Sequence, residues 1–139
     1  MFKVTYDTNV VVSGLLSSTG APALLLDLVF NKRVILFLSP EIFDEYERVL
    51  SRPKLRIPRV GKEFVLKRLR SLGHWVEPEE RITAARDPND NRFLECAVSA
   101  RVDFLVTGNL RHFPRTFRGV RVVNPRHFFE IYWQSIMVS

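Results

Sequence analysis

The chain is predicted to fold as one α/β domain over residues 1–139, with a mostly parallel central sheet of about four to five strands flanked by helices. Short apolar runs of strand character recur at Phe2–Tyr6, Val34–Leu38, Phe104–Thr107 and Val120–Val123. Longer stretches of helical spacing lie between them, opened by Ser, Asn, Asp and Pro in cap and first-turn positions. There is no repeat, low-complexity segment or interdomain linker, and 46% hydrophobic content over 139 residues supplies one core.

Phe2, Val4 and Tyr6 alternate with Lys3 and Thr5, and this first strand runs into Asp7. Asp7-Thr8-Asn9 is turn chemistry, and Val10-Val11-Val12 beyond it keeps the chain against the core. Ser17–Gly20 is a turn, and Pro22 opens a helix carrying Leu24, Leu25, Leu28 and Val29. The unbroken run Val34–Leu38 reads as a strand covered on both faces. Ser39-Pro40-Glu41 follows as N-cap, first-turn proline and dipole-favoured acid. The helix it starts carries Ile42, Tyr46 and Val49 on one stripe and stops before Pro53.

Pro53–Pro58 is a basic loop. An added helix over Gly61–Leu72 is expected to bury Phe64, Leu66 and Leu69, and Gly73 ends it. His74–Val76 is a short strand and Glu77–Glu80 an acidic turn. Asp87-Pro88-Asn89-Asp90 heads a helix whose apolar side is Phe93, Leu94, Ala97 and Val98. Gly108-Asn109 breaks the strand Phe104–Thr107 and opens a basic loop down to Arg118. Val120–Val123 alternates as an edge strand, and Asn124-Pro125 caps a last helix bearing Phe128, Phe129, Ile131 and Tyr132.

Twenty-one Lys and Arg against 15 Asp and Glu leave a net charge of +6, which favours a polyanionic partner through counterion release. The competing readings are plain solubility and ion-pair networks. Arg86, Arg111, Arg115 and Arg118 flank the acidic stretches and are the candidates for contact with a nucleic acid. A single cysteine, Cys96, excludes a disulfide framework and a thiolate zinc cluster. With no apolar run long enough for a bilayer, no basic amphipathic helix and no signal-peptide pattern, the expectation is a cytoplasmic protein with no membrane role. Dinucleotide, P-loop, serine-hydrolase and zinc-protease motifs are missing.

The acids carry the functional signal. Asp7 stands at the carboxyl end of the first strand, where open α/β sheets hold ligands, although turn formation explains it equally well. Glu45 shares the helix side of Ile42 and Val49, where an ionised acid left without a partner costs on the order of several kcal/mol. Its alternative is a rim position paired with Arg48, Arg52 or another cation. Asp90 heads its helix with Leu94 and Ala97 on the same side. Asp87, three residues earlier, makes one acid more than a cap requires. Gathered in one pocket, such carboxylates raise one another's pKa unless a cation joins them, and hard oxygen donors suit Mg²⁺ or Mn²⁺. An acidic metal pocket inside a basic rim suits phosphodiester cleavage.

Over nearly its whole length the chain resembles the PIN-domain ribonucleases, especially the compact prokaryotic branch that includes toxins of toxin–antitoxin pairs. Asp7-Thr8-Asn9-Val10 resembles the opening motif of that family. Glu45, followed by Arg52-Pro53-Lys54, resembles the second acid. Asp90, with Phe93–Ala97 behind it, resembles the third, and Leu105–Asn109 resembles the late strand-and-turn motif. The chain departs from the family at Asn109, an amide where a fourth acid is usual. The resemblance implies a PIN-like fold and a Mg²⁺- or Mn²⁺-dependent endoribonuclease with Asp7, Glu45 and Asp90 on the metal. Asn109 and Asp87 would assist, and Thr8, Asn9, Ser13 and Thr107 would orient water or phosphate. It also implies a cognate antitoxin as a partner. Self-association into a homodimer or higher homo-oligomer through Tyr132 and Trp133 is a further expectation. The alternative is a PIN-like RNA- or protein-binding module that has lost catalysis, which the amide at Asn109 keeps open.

Overall fold

The computed structural model describes residues 1–138. Its core is a six-stranded sheet built from β1 (Lys3–Tyr6), β2 (Ile35–Leu38), β3 (His74–Trp75), β4 (Phe104–Val106), β5 (Thr116–Phe117) and β6 (Val120–Val123), in the order β3-β2-β1-β4-β6-β5. All neighbours are parallel except β5 with β6. The helices α1 (Thr8–Leu16), α2 (Ala21–Phe30), α3 (Pro40–Leu50), α4 (Arg59–Leu72), α5 (Asn91–Ala100) and α6 (Pro125–Val138) connect and cover it. None of the described helices is by itself long and apolar enough to cross a membrane.

The α/β class with a mostly parallel sheet stands, with more strands than expected. β1 lies at the centre, with Val4 opposite both Leu36 and Phe104, so its carboxyl end and that of β4 open on the same crevice. Val4, Tyr6, Leu36, Leu38 and Leu105 are almost wholly buried, as strands covered by helices on both faces should be. Tyr46 on α3 donates its hydroxyl to the Tyr6 carbonyl, tying that helix to the end of β1. Ser39 caps α3 as expected, its Oγ accepting from the Ile42 N–H at 3.3 Å.

The expectations differ from the structure at four places. The segment after Asp7 is a helix, α1, with Asp7 in an extended N-cap conformation and its side chain accepting from the Thr8 N–H. Three consecutive valines are poor helix formers, but Val10 and Val11 are buried where α1 meets α2 and α3. Tertiary packing overrides their propensity. Second, Val120–Val123 is not the edge, because β5 pairs antiparallel outside it. Third, α4 begins at Arg59 and turns Val65, Leu66 and Leu69 to the core. Fourth, that rotation leaves Phe64 58% exposed, edge-on to Phe30 at 6.5 Å.

Gly73, where α4 passes into β3, has an ordinary φ of −66°. It is required by space: a Cβ there would lie 2.5 Å from Leu38 Cδ2 and 2.7 Å from the Leu69 carbonyl oxygen. Gly73→Ala is therefore expected to destabilise the fold by about 1–3 kcal/mol through overpacking alone. Urea denaturation measures it, and an unchanged midpoint would refute the close approach.

Candidate active site

The site grows from the shared carboxyl ends of β1 and β4. Asp7 follows β1 directly and its N–H donates to the Val106 carbonyl at 2.9 Å, so its backbone is still held by the sheet. The residue is 5% exposed. Its Oδ1 accepts from the Thr8 N–H at 2.7 Å, and its Oδ2 accepts from the Thr107 hydroxyl at 2.7 Å and from Asn9 Nδ2 at 3.2 Å. Asn9 also accepts the Gly108 N–H on its Oδ1 at 2.9 Å, which clamps the turn after β4 onto the start of α1. Burial above all pushes the Asp7 carboxyl up to about 6. The Thr107 and Thr8 hydrogen bonds oppose this, and the charges of Asp90 and Glu45 add to it.

Glu45 reaches the same crevice from α3. Its Oε2 accepts the Thr8 hydroxyl, and its Oε1 faces Arg92 at 3.6 Å and Arg48 at 3.8 Å. Glu45 is therefore paired with cations, as the alternative reading had it, and also bears on Asp7 and Asp90 through its charge. Asp90 ends a 3₁₀ turn (Pro88–Asp90) that leads into α5. It sits in αR backbone and makes no side-chain cap, so its carboxylate is turned away from its own helix. It meets His112 Nδ1 at 3.2 Å. Burial, Asp87 and Glu45 raise its pKa, while His112 opposes them.

Asp7, Glu45 and Asp90 thus stand within electrostatic reach of one another. Among the described residues, no three His, Cys, Asp or Glu side chains form a group already gathered for an ion. The donor chemistry nevertheless fits a hard divalent cation. Carboxylates from three separate elements bear on one another, and Asp7 and Asp90 hold their protons more tightly, chiefly through burial and in lesser part through neighbouring acids. No thiol competes, since Cys96 is buried and its thiol is pushed up to about 12 by that burial. Asp7, Glu45 and Asp90 are the residues that would hold such an ion.

The other expected residues separate into two groups. Thr107, Asn9 and Thr8 touch the acids directly. Asp87 serves the turn, its Oδ1 accepting from the Asn89 N–H at 3.0 Å and its carbonyl from the Asp90 N–H at 2.9 Å, and its side chain bears on Asp90 through charge. Asn109 is exposed and donates its N–H to Thr107 Oγ1 at 2.9 Å. Ser13 is exposed on α1, and its carbonyl accepts from Ser17. Arg86 and Arg111 lie beside His112, the first through its N–H on the His112 carbonyl at 2.8 Å. Arg115 is exposed next to β5, and Arg118 is committed to Glu80 and to the Phe117 ring.

Two residues that touch the acids were not foreseen in these roles. Arg92 stands in the first turn of α5, where the helix dipole disfavours a cation, so a carboxylate partner was to be sought. His112 carries no such signal, because only folding brings a loop imidazole to Asp90.

The sign of the Asp7 shift has a consequence for stability. Its proton is held more tightly in the folded state than at the ordinary value of 3.8, so ionisation costs stability as pH rises through about 6. In metal-free buffer, Asp7→Asn is expected to stabilise the fold by about 2 kcal/mol at pH 7, with the gain fading toward pH 4. Urea titrations across that range check it, and a gain independent of pH would contradict the buried-acid argument.

A profile of the PIN domain matches residues 3–111, which contain Asp7, Glu45, Asp90 and Asn109. An uncharacterized protein of Methanocaldococcus jannaschii is 32% identical over 110 residues, covering 77% of this chain and 70% of its own length. PIN domains are generally metal-dependent nucleases. By the span of that match and the fold that bears the acids, this chain belongs to the PIN-domain family.

Proposed function

We propose that the protein is a Mg²⁺- or Mn²⁺-dependent endoribonuclease that hydrolyses RNA phosphodiester bonds at the crevice above β1 and β4. The observation that carries this reading is that Asp7, Glu45 and Asp90 come from a strand end, a helix side and a helix head into electrostatic reach of one another. The raised pKa of Asp7 and of Asp90 is owed to burial first and to neighbouring acids in part. When bound, a divalent ion would polarise a phosphoryl oxygen and make water a better nucleophile. The protein's own contribution is positional. Thr107, Asn9 and the Thr8 N–H fix the Asp7 carboxylate, the Thr8 hydroxyl fixes one oxygen of Glu45, and His112 holds Asp90.

Arg48 and Arg92 on Glu45, together with the amide at Asn109, favour a second reading, a binding module without catalysis. The resemblance also supports a role as the toxin of a type II toxin–antitoxin pair, held silent by a cognate antitoxin. Homodimerisation through α6 is supported by Trp133, which is 51% exposed and stacked on Phe129.

Turnover of single-stranded RNA with Mn²⁺ or Mg²⁺ tests the nuclease reading. Asp7→Asn, Glu45→Gln and Asp90→Asn are each expected to lower it about 100-fold or more, and Thr107→Val about tenfold. Equal turnover by wild type and Asp7→Asn, or none with any metal, would sink it. Binding that stays steeply salt-dependent without metal-dependent products would establish the second reading.

A further inference from the structure

A cleft of about 360 Å³ opens beside the carboxylates, lined by Gly108, Asn109, Leu110, Arg111, His112 and Asn124. It shares a wall with the acids, because His112 lines it and also meets Asp90 Oδ2 at 3.2 Å. No acid lines it. Its polar side chains are a guanidinium, an imidazole and two amides, all able to present N–H groups. One amide is already oriented: Asn124 Oδ1 accepts from the His127 N–H at 2.7 Å, so the end left for the cleft is the donor Nδ2. The backbone N–H of Arg86 fastens the loop by donating to the His112 carbonyl at 2.8 Å. A larger cavity of about 530 Å³ lies at the amino end of β1, lined in part by Phe2 and Tyr132, and has none of these relations to the acids.

This chemistry selects an anion, and the lining narrows its kind. No Phe, Tyr or Trp lines the cleft to stack a base, and Leu110 is its one aliphatic side chain. A donor-lined cleft with no Phe, Tyr or Trp, whose one imidazole is held on Asp90, suits backbone phosphate, which positions a strand without reading its sequence. We propose that the cleft binds a phosphodiester of the RNA strand flanking the one held at Asp7, Glu45 and Asp90, with Arg111 and Asn124 as its principal donors. The proposal rests on the RNA reading above. It adds a direction to it: the strand runs from the acids past His112 toward the start of α6.

The test is binding of a short single-stranded RNA in EDTA, so that cleavage does not intervene, with one uncharged methylphosphonate stepped along the strand. One flanking position should weaken wild-type binding about tenfold, as loss of a charge-assisted contact does. Arg111→Ala and Asn124→Asp should bind the unmodified strand about that much more weakly and lose sensitivity at that one position. Asn124→Asp keeps an oxygen to cap α6 while removing the donor, and unchanged thermal melting establishes that both variants are folded. RNA binding with the same positional profile in wild type and variants overturns the cleft assignment and leaves the RNA reading intact. No binding at all overturns the cleft assignment, while the nuclease reading stands or falls on turnover with metal. Displacement of RNA by micromolar inorganic phosphate would mark a free-phosphate site and overturn the strand assignment.

Discussion

A buried carboxylate at the centre of the sheet is the constraint around which this fold is arranged. Asp7 loses nearly all its contact with water, and an ion so placed is tolerated only where protein donors replace hydration. Those donors are Thr107 from the end of β4, Thr8 from the first turn of α1 and Asn9 beside it. The requirement therefore reaches well beyond one residue. It demands that β1 and β4 be neighbours, that α1 begin at once after β1, and that the turn at Gly108 come close enough for Asn9 to bond its N–H. A Cβ at Gly108 would stand 3.3 Å from Asn9 Oδ1, which shows how closely that turn is drawn in. The donors still do not cancel the cost, since the Asp7 carboxyl remains pushed up to about 6.

The remaining acids make this strain larger, and the surrounding cations limit it. Glu45 and Asp90 each disfavour ionisation of a neighbour, while Arg92, Arg48 and His112 stand on their outer sides. Arg92 shows the balance most clearly. At the head of α5 it opposes the helix dipole, a disadvantage of about 0.3–1 kcal/mol that contact with Glu45 can offset. A different buried acid on the same helix shows what a structural carboxylate looks like. Glu95 is 4% exposed, accepts the Ile82 N–H at 2.9 Å and meets Arg81 at 3.8 Å, pinning the long loop before α5. Glu95 holds a backbone segment in place, whereas Asp7, Glu45 and Asp90 bear on one another through their charges.

How much of this could be read from the residues depended on whether the cause was local. The α/β class, the Ser39-Pro40 start of α3 and the helix after Asp90 rest on periodicity and caps, which act within a turn or two. That Asp7, Glu45 and Asp90 come within electrostatic reach of one another was also legible, because each stands at a type of position that a parallel sheet brings to one edge. α1 was missed because Asp7-Thr8-Asn9 suits a turn and an N-cap alike, and the valines after it argue against helix until α2 and α3 supply their burial. The placement of Val120–Val123 inside the sheet depends on a two-residue hairpin partner, Thr116–Phe117, too short to carry a pattern. Phe64 was misplaced because hydrophobicity alone does not fix the rotation of a helix that already has Val65, Leu66 and Leu69 to bury. His112 and Arg92 needed the tertiary structure to bring them to their acids.

The net charge of +6 takes on a sharper meaning once its distribution is known. A uniform basic surface would draw a polyanion anywhere, and three acids in a crevice would repel it from that place. Here the cations nearest the acids divide into two kinds. Arg48 and Arg92 are turned onto Glu45 and lower the repulsion inside the crevice, whereas Arg86 and Arg111 border the loop that carries His112 and lie outside it. Arg118, bonded to Glu80, belongs to neither group. The effect is a short gradient from negative to positive across His112, which touches Asp90 on one side and lines the cleft on the other. A phosphate strand crossing that gradient meets repulsion at one end and attraction at the other, so charge alone orients it. Anything that lowers the negative charge of the acids removes the repulsive half of that gradient and lets the strand settle at the crevice itself.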